Sequence, residues 1–136
     1  MTVSQHLRRL ADLKGVRPDV IELPKQNFAL LDKRRFFYLD WFTDAGHPIL
    51  FLHGGAQTAH TWDVCCLAIG GRYRCIALEQ RGHGESDWST ANDYSISAHC
   101  EDIARFIDYL GLSQLTVVGM STVSYTHLTL PTKRIV

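Results

Sequence analysis

The sequence predicts an α/β fold with a mostly parallel sheet entered through a β-hairpin, and three observations carry that reading. The runs "PILFLHGG", "RCIALEQRGHGES" and "LTVVGMS" are short, continuous and unalternating, as strands buried on both faces of a parallel sheet must be. Two segments between them can form helices, supplying the crossovers that parallel strands require. Upstream, "NFALLD" and "RRFFYLDWF" flank the turn residues Asp32 and Lys33 and are rich in the aromatics that strands favour. The order is therefore a hairpin feeding a βαβαβ array.

Each element has its own signal. Val3 to Lys14 reads as a short amphipathic helix, with Leu7, Leu10 and Leu13 on one side and Gly15 as its stop. "VRPDVIELPKQ" carries two prolines and reads as a linker. After the hairpin and the first buried run, "QTAHTWDVCCLAIGG" can carry a helix that Gly70 and Gly71 end. In "SISAHCEDIARFIDYLGL", Ser95 or Ser97 can cap a second helix. Ile103, Phe106, Ile107 and Leu110 fall at i, i+3, i+4 and i+7, and Gly111 stands where a C-terminal glycine belongs. The expected organisation is an N-terminal helix and linker over 1–26, the α/β portion over 27–121, and a separate tail over 122–136.

Composition narrows the function classes. A chain of 136 residues with a 46% apolar share fits one small domain with a real core. Lys plus Arg equals Asp plus Glu, so no electrostatic footprint for nucleic acid or an anionic membrane is present. The expected partner is a small molecule, with no nucleic acid and no membrane; the oligomeric state is unknown from sequence. Arg8 and Arg9 are followed by no apolar run, so the start does not read as a secretory signal. No stretch approaches the ~18 apolar residues of a membrane span. Cys65, Cys66, Cys75 and Cys100 show neither a C-x-x-C pair nor zinc spacing. The adjacent Cys65 and Cys66 read as small apolar helix residues, and the four as reduced thiols of a cytoplasmic protein.

Three loops follow the C-terminal ends of the buried runs, where open α/β sheets place their ligands. In "HGGAQTAHTW", Gly54 and Gly55 let the backbone turn an N–H outward, as a developing oxyanion needs; a plain glycine turn closing a strand is the blander alternative. In "EQRGHGESDW", Gly82 and Gly84 around His83 fit a tight strand-to-helix connection with a structural histidine. A dinucleotide loop would want G-x-G-x-x-G, and Asp87 holds the third glycine position. The third loop, "VVGMS", supplies Gly119, Met120 and Ser121, the first half of a G-x-S-x-G nucleophile elbow. The second glycine falls at Val123 and is absent.

In order and spacing, "FLHGG", "EQRGHGESD", "DYLGL" and "VVGMS" together resemble the N-terminal half of the α/β-hydrolase fold, in the branch of esterases, lactonases, epoxide hydrolases, C–C bond hydrolases and cofactor-free haloperoxidases. The resemblance covers Asn27 to Ser121. It implies a serine hydrolase that needs no cofactor and no metal, with Ser121 as the nucleophile and the backbone N–H groups of Gly55 and Thr122 as the oxyanion hole. Relatives with Asp at the elbow attack carbon by displacement, whereas a serine implies attack on the carbonyl of an ester, lactone, thioester or activated C–C substrate. The family's acid and histidine come after two later strands, so the chain by itself is expected to be inactive. A non-hydrolytic receptor or a lyase on the same scaffold is the alternative.

The tail departs from the family. Val123 to Thr132 reads V-S-Y-T-H-L-T-L-P-T, the translation, residue for residue, of GTC TCT TAT ACA CAT CTG ACG CTG CCG ACG in the transposon-end adapter used for shotgun library preparation. The tail is therefore expected to be a translated sequencing scar, with His127 no candidate base. The adapter also supplies the last two bases of codon 122. Only an initial A is left to the gene, and this would equally allow methionine there, completing the elbow as G-M-S-M-G.

Overall fold

The computed structural model describes residues 1–18 and 21–121. The tail, with its adapter reading and the Thr122 N–H, lies outside the described residues. Helix α1 (Val3–Leu13) starts at a reciprocal cap: Gln5 N–H donates to Thr2 Oγ1 at 3.1 Å and Thr2 N–H donates to Gln5 Oε1 at 2.8 Å, satisfying two otherwise orphan donors. Its buried residues are Leu7 and Ala11, whereas Leu13, expected on the buried side, is 73% exposed. Six positions beyond Leu7 the helix has turned by about 240° past a full revolution, which carries Leu13 off the contact face.

Strands β1 (Lys25–Leu31) and β2 (Arg34–Trp41) form the expected antiparallel hairpin. Asp32 and Lys33 both take positive φ, 47° and 64°, the geometry of a two-residue turn whose twist matches the strands. The chain then runs through β3 (His47–Leu52), a 3₁₀ turn (Ala59–Trp62), α2 (Asp63–Ile69), β4 (Tyr73–Leu78), α3 (Ile96–Leu110) and β5 (Thr116–Gly119). The sheet order is β1-β2-β4-β3-β5. Strands β4, β3 and β5 are parallel, and the hairpin joins them antiparallel through β2 and β4. Leu52 is level with both Leu78 and Gly119. All three parallel strands therefore release their chains at one edge, and that alignment gathers the three glycine-containing loops.

Helices cover both faces. On one, Ile103, Phe106 and Ile107 of α3 pack over Leu50, Leu52, Ile76 and Leu78. On the other, Leu7 and Leu67 of α1 and α2 meet Phe37, Leu39, Trp41 and Phe51. Of the two serines that could cap α3, Ser95 does so, accepting Ala98 N–H at 3.2 Å, and Gly111 ends the helix at φ 67°. All four cysteines are free thiols. Cys65 and Cys66 lie on α2, and the hydrogen bond to Cys75 together with burial holds the Cys66 thiol far above its ordinary range. Among the described residues no helix is long and apolar enough to cross a membrane, and no cluster of three or more His, Cys, Asp or Glu side chains could hold a metal ion.

Candidate active site

Ser121 follows β5 by two residues and is solvent-exposed. Met120 N–H still donates to Leu52 O at 3.2 Å, so the β3–β5 ladder holds the chain up to the residue before the serine. Ser121 itself turns into the left-handed region, φ 63°. For a serine this is a strained conformation that persists only where its surroundings impose it, and a strained residue after a strand is what the expected nucleophile elbow calls for.

The loop after β3 packs directly against it. A β-carbon at Gly54 would lie 3.3 Å from Ser121 Cβ and 3.2 Å from Gln57 Oε1, so the absence of a side chain there is what allows the approach. Gly54 N–H donates to Gln57 Oε1 at 2.9 Å, and Gln57 N–H returns to Gly54 O at 3.3 Å. Gly55, next along, is exposed and its N–H has no hydrogen-bond partner among the described residues. The two glycines thus divide the work: Gly54 makes room and closes the turn, and Gly55 leaves a donor free.

Two histidines brace this edge from below. His53 is fully buried. Its Nδ1 contacts Gly54 O at 2.8 Å and its Nε2 accepts Gln80 N–H at 3.1 Å. An amide N–H can only donate, so the proton sits on Nδ1 and the ring is neutral; burial pushes its pKa below the ordinary imidazole value. His83 is used in the same way, with Nδ1 3.0 Å from Arg81 O and Nε2 accepting Ala56 N–H at 3.3 Å. The two rings lie 4.8 Å apart. His83 is accordingly a structural tie between loops, as its setting between two glycines suggested.

Several polar residues at this edge were missed in the sequence. Glu79, the residue after β4, is buried and accepts Ala59 N–H at 3.0 Å and Glu85 N–H at 2.8 Å. Gly84, at φ 51°, passes so close that any β-carbon there would run into the Glu79 carboxylate. Ser86 Oγ accepts Phe37 N–H at 2.9 Å and donates to Glu79 O at 2.6 Å. Arg81 and Asp102 form a buried two-pronged ion pair at 2.6 and 2.9 Å, and Arg81 Nη1 donates to Asp93 O at 2.7 Å. His60 lies 2.9 Å from Asp63, whose hydrogen bond raises the imidazole pKa. Asp102 alone left a legible mark, an acid on the same helical stripe as Phe106; the others announce nothing until their partners are in place. A cavity of about 600 Å³ lined by Arg17, Phe42, Ile69, Arg72 and Tyr73 lies at the opposite, N-terminal end of β4, away from Ser121.

Comparison with known proteins bears on the fold and the family. Residues 47–125 match the protein family described as the alpha/beta hydrolase fold. The chain is 38% identical to an esterase of Mycobacterium tuberculosis over 73 residues, 54% of this chain and 24% of that protein. It is 36% identical to a non-heme haloperoxidase of Rhodococcus erythropolis over 92 residues, 67% of this chain and 32% of that protein. Among solved structures, an epoxide hydrolase from Vigna radiata superposes with a TM-score of 0.69 at 24% identity, covering 79% of this chain and 35% of that one, a likeness of fold. The chain thus spans 24% and 32% of the length of these two curated relatives.

Proposed function

The chain belongs to the α/β-hydrolase fold family, and from that premise we propose that residues 27–121 are the N-terminal half of the catalytic domain of a serine hydrolase. Residues 1–26 are its N-terminal helix and linker, and 122–136 the adapter-derived tail. One observation carries the reading: Ser121, strained at φ 63° just past the end of a parallel strand, sits against Gly54, and the N–H of the next residue, Gly55, has no partner among the described residues. Ser121 Oγ bonds to the carbonyl carbon of an ester, lactone, thioester or activated C–C substrate. As it does so the carbonyl π electrons move onto oxygen, and the charge that develops there is met by the N–H groups of Gly55 and of residue 122. No cofactor takes part, and the protein works in the cytoplasm with its thiols reduced.

The serine's proton needs a base. His53 and His83, the histidines nearest this edge, spend both ring nitrogens on backbone groups, so neither is free to take it. The base and its carboxylate are assigned to later parts of the whole protein, and residues 1–136 alone are proposed to be inactive. A fluorophosphonate probe on the full-length protein tests this, since only an activated serine displaces fluoride from phosphorus and becomes phosphonylated. Labelling and p-nitrophenyl ester turnover should both vanish in Ser121→Ala. An unlabelled wild-type protein would favour a non-hydrolytic receptor or lyase on the same scaffold.

A further inference from the structure

The Gly54–Gln57 bonds close the loop that bears the Gly55 donor, but the residue after Gly55 is held from outside. Ala56 sits at φ 58°, a left-handed conformation that a residue with a β-carbon resists. Its N–H is fixed from outside, by His83 Nε2 at 3.3 Å. That nitrogen can accept only while the ring proton is on Nδ1, and Arg81 O, 3.0 Å from Nδ1, keeps it there. Arg81 is pinned in turn by the buried Asp102 carboxylate of α3 and by Asp93 O. A continuous set of polar contacts therefore runs from a helix in the core to the residue beside Gly55.

Building on the proposed role of Ser121, we propose that His83 is a positioning residue: by accepting the Ala56 N–H as a neutral ring, it aims the Gly55 N–H at the oxygen that becomes negative when Ser121 attacks. The aim matters because a preorganised donor contributes only if it already points at the place where charge develops. A histidine that merely filled space could be replaced by any ring of similar size.

The test uses the full-length protein that carries these residues. His83→Phe keeps the ring bulk without an acceptor, and His83→Gln offers Oε1 near the place of Nε2. Removing an oxyanion donor outright costs about 10²–10³ in kcat, so a misaimed one is expected to cost about 10–100-fold in His83→Phe, with KM within about threefold and most of the loss recovered in His83→Gln. In parallel, amide exchange at Ala56 should accelerate in His83→Phe and stay slow in His83→Gln. An unchanged kcat in His83→Phe overturns the proposal, as does an equal loss in both variants or an Ala56 amide indifferent to the substitution. Ser121→Ala separates this from the underlying reading. If it retains turnover, the nucleophile assignment fails and His83 has no oxyanion to serve; if turnover disappears there but persists in His83→Phe, only the positioning role fails.

Discussion

The loops after β3 and β4 leave parallel neighbours at the same edge, each with two glycines and a histidine, yet they are built to opposite ends. The β4 loop commits its buried polar side chains to structural bonds. Glu79, Arg81 and Ser86 are all buried, and each is bonded to a partner in the loop, in β2, in α3 or in the 3₁₀ turn. The β3 loop takes part of its restraint from that neighbour, and its Gly55 N–H has no partner among the described residues. A free backbone donor is costly in a core and useful at a reaction centre. The contrast separates the loop that is scaffold from the loop proposed to face chemistry.

The sharpest way to break this contrast is to attack the scaffold at Arg81 and Asp102. Removing either partner leaves a charge buried without compensation, worth about 3–5 kcal/mol. Arg81→Ala or Asp102→Ala should therefore lower the urea midpoint severely, whereas the double variant should recover part of the loss. Single variants costing under about 1 kcal/mol would mean that water reaches the pair and that the β4 loop is no more rigid than its neighbour.

The glycines permit a second, intermediate test. Gly84→Ala must place a β-carbon in the Glu79 carboxylate at a left-handed φ, and should cost at least about 2 kcal/mol. Among the described residues a β-carbon on Gly55 meets nothing within 4 Å, so Gly55→Ala should stay within about 1 kcal/mol. Equal losses from the two substitutions, measured by urea unfolding, would erase the distinction between a glycine needed for packing and one that leaves its donor in the open.

Sequence carried the architecture further than it carried this distinction. The unalternating runs and the Phe106 stripe specify buried strands and a crossover helix, because periodicity is imposed by which faces are covered. The Asp32–Lys33 turn could likewise be read from the strands on either side. Gly54, Gly55, Gly82 and Gly84 look alike in a string of letters. What separates them is Ser121, Glu79 and Tyr94, contacts that arise only when distant segments meet. Leu13 shows the complementary error, an apolar residue assigned to a face from which the helical rotation removes it.

The histidines offer a subtler comparison, through pH. Burial depresses His53, so the unfolded chain takes up that proton more readily; its stability contribution is complete above about pH 6.5 and is lost as pH falls toward the folded-state value. The Asp63 hydrogen bond raises His60, whose contribution is complete below about pH 6.5 and is lost as pH rises through its folded-state value. His60 is half-exposed, so its effect on stability is the smaller. Ring-proton NMR should find the His60 midpoint above that of a model imidazole and the His53 midpoint below it. Coincident midpoints would show that the brace beneath Gly54 is open to water.

The smallest expected effect comes from the outer anchor of the β4 loop. Arg35 reaches Asp87 with a side-chain contact of 3.4 Å, but 62% of the arginine side chain is exposed. Such a pair is screened and must immobilise a long side chain, so its net contribution is about 0–1 kcal/mol. The backbone carries the real attachment there: Arg35 N–H donates to Asp87 Oδ2 at 2.7 Å and Asp87 N–H donates to Arg35 O at 2.9 Å. Arg35→Ala keeps both bonds and should shift stability by no more than about 0.5 kcal/mol. Asp87→Ala strips the acceptor from the Arg35 N–H and should cost more, about 1–2 kcal/mol. If Arg35→Ala proves the more damaging, the loop is held by its surface charge, and the ranking that places its strength in buried Arg81 and Asp102 has to be reversed.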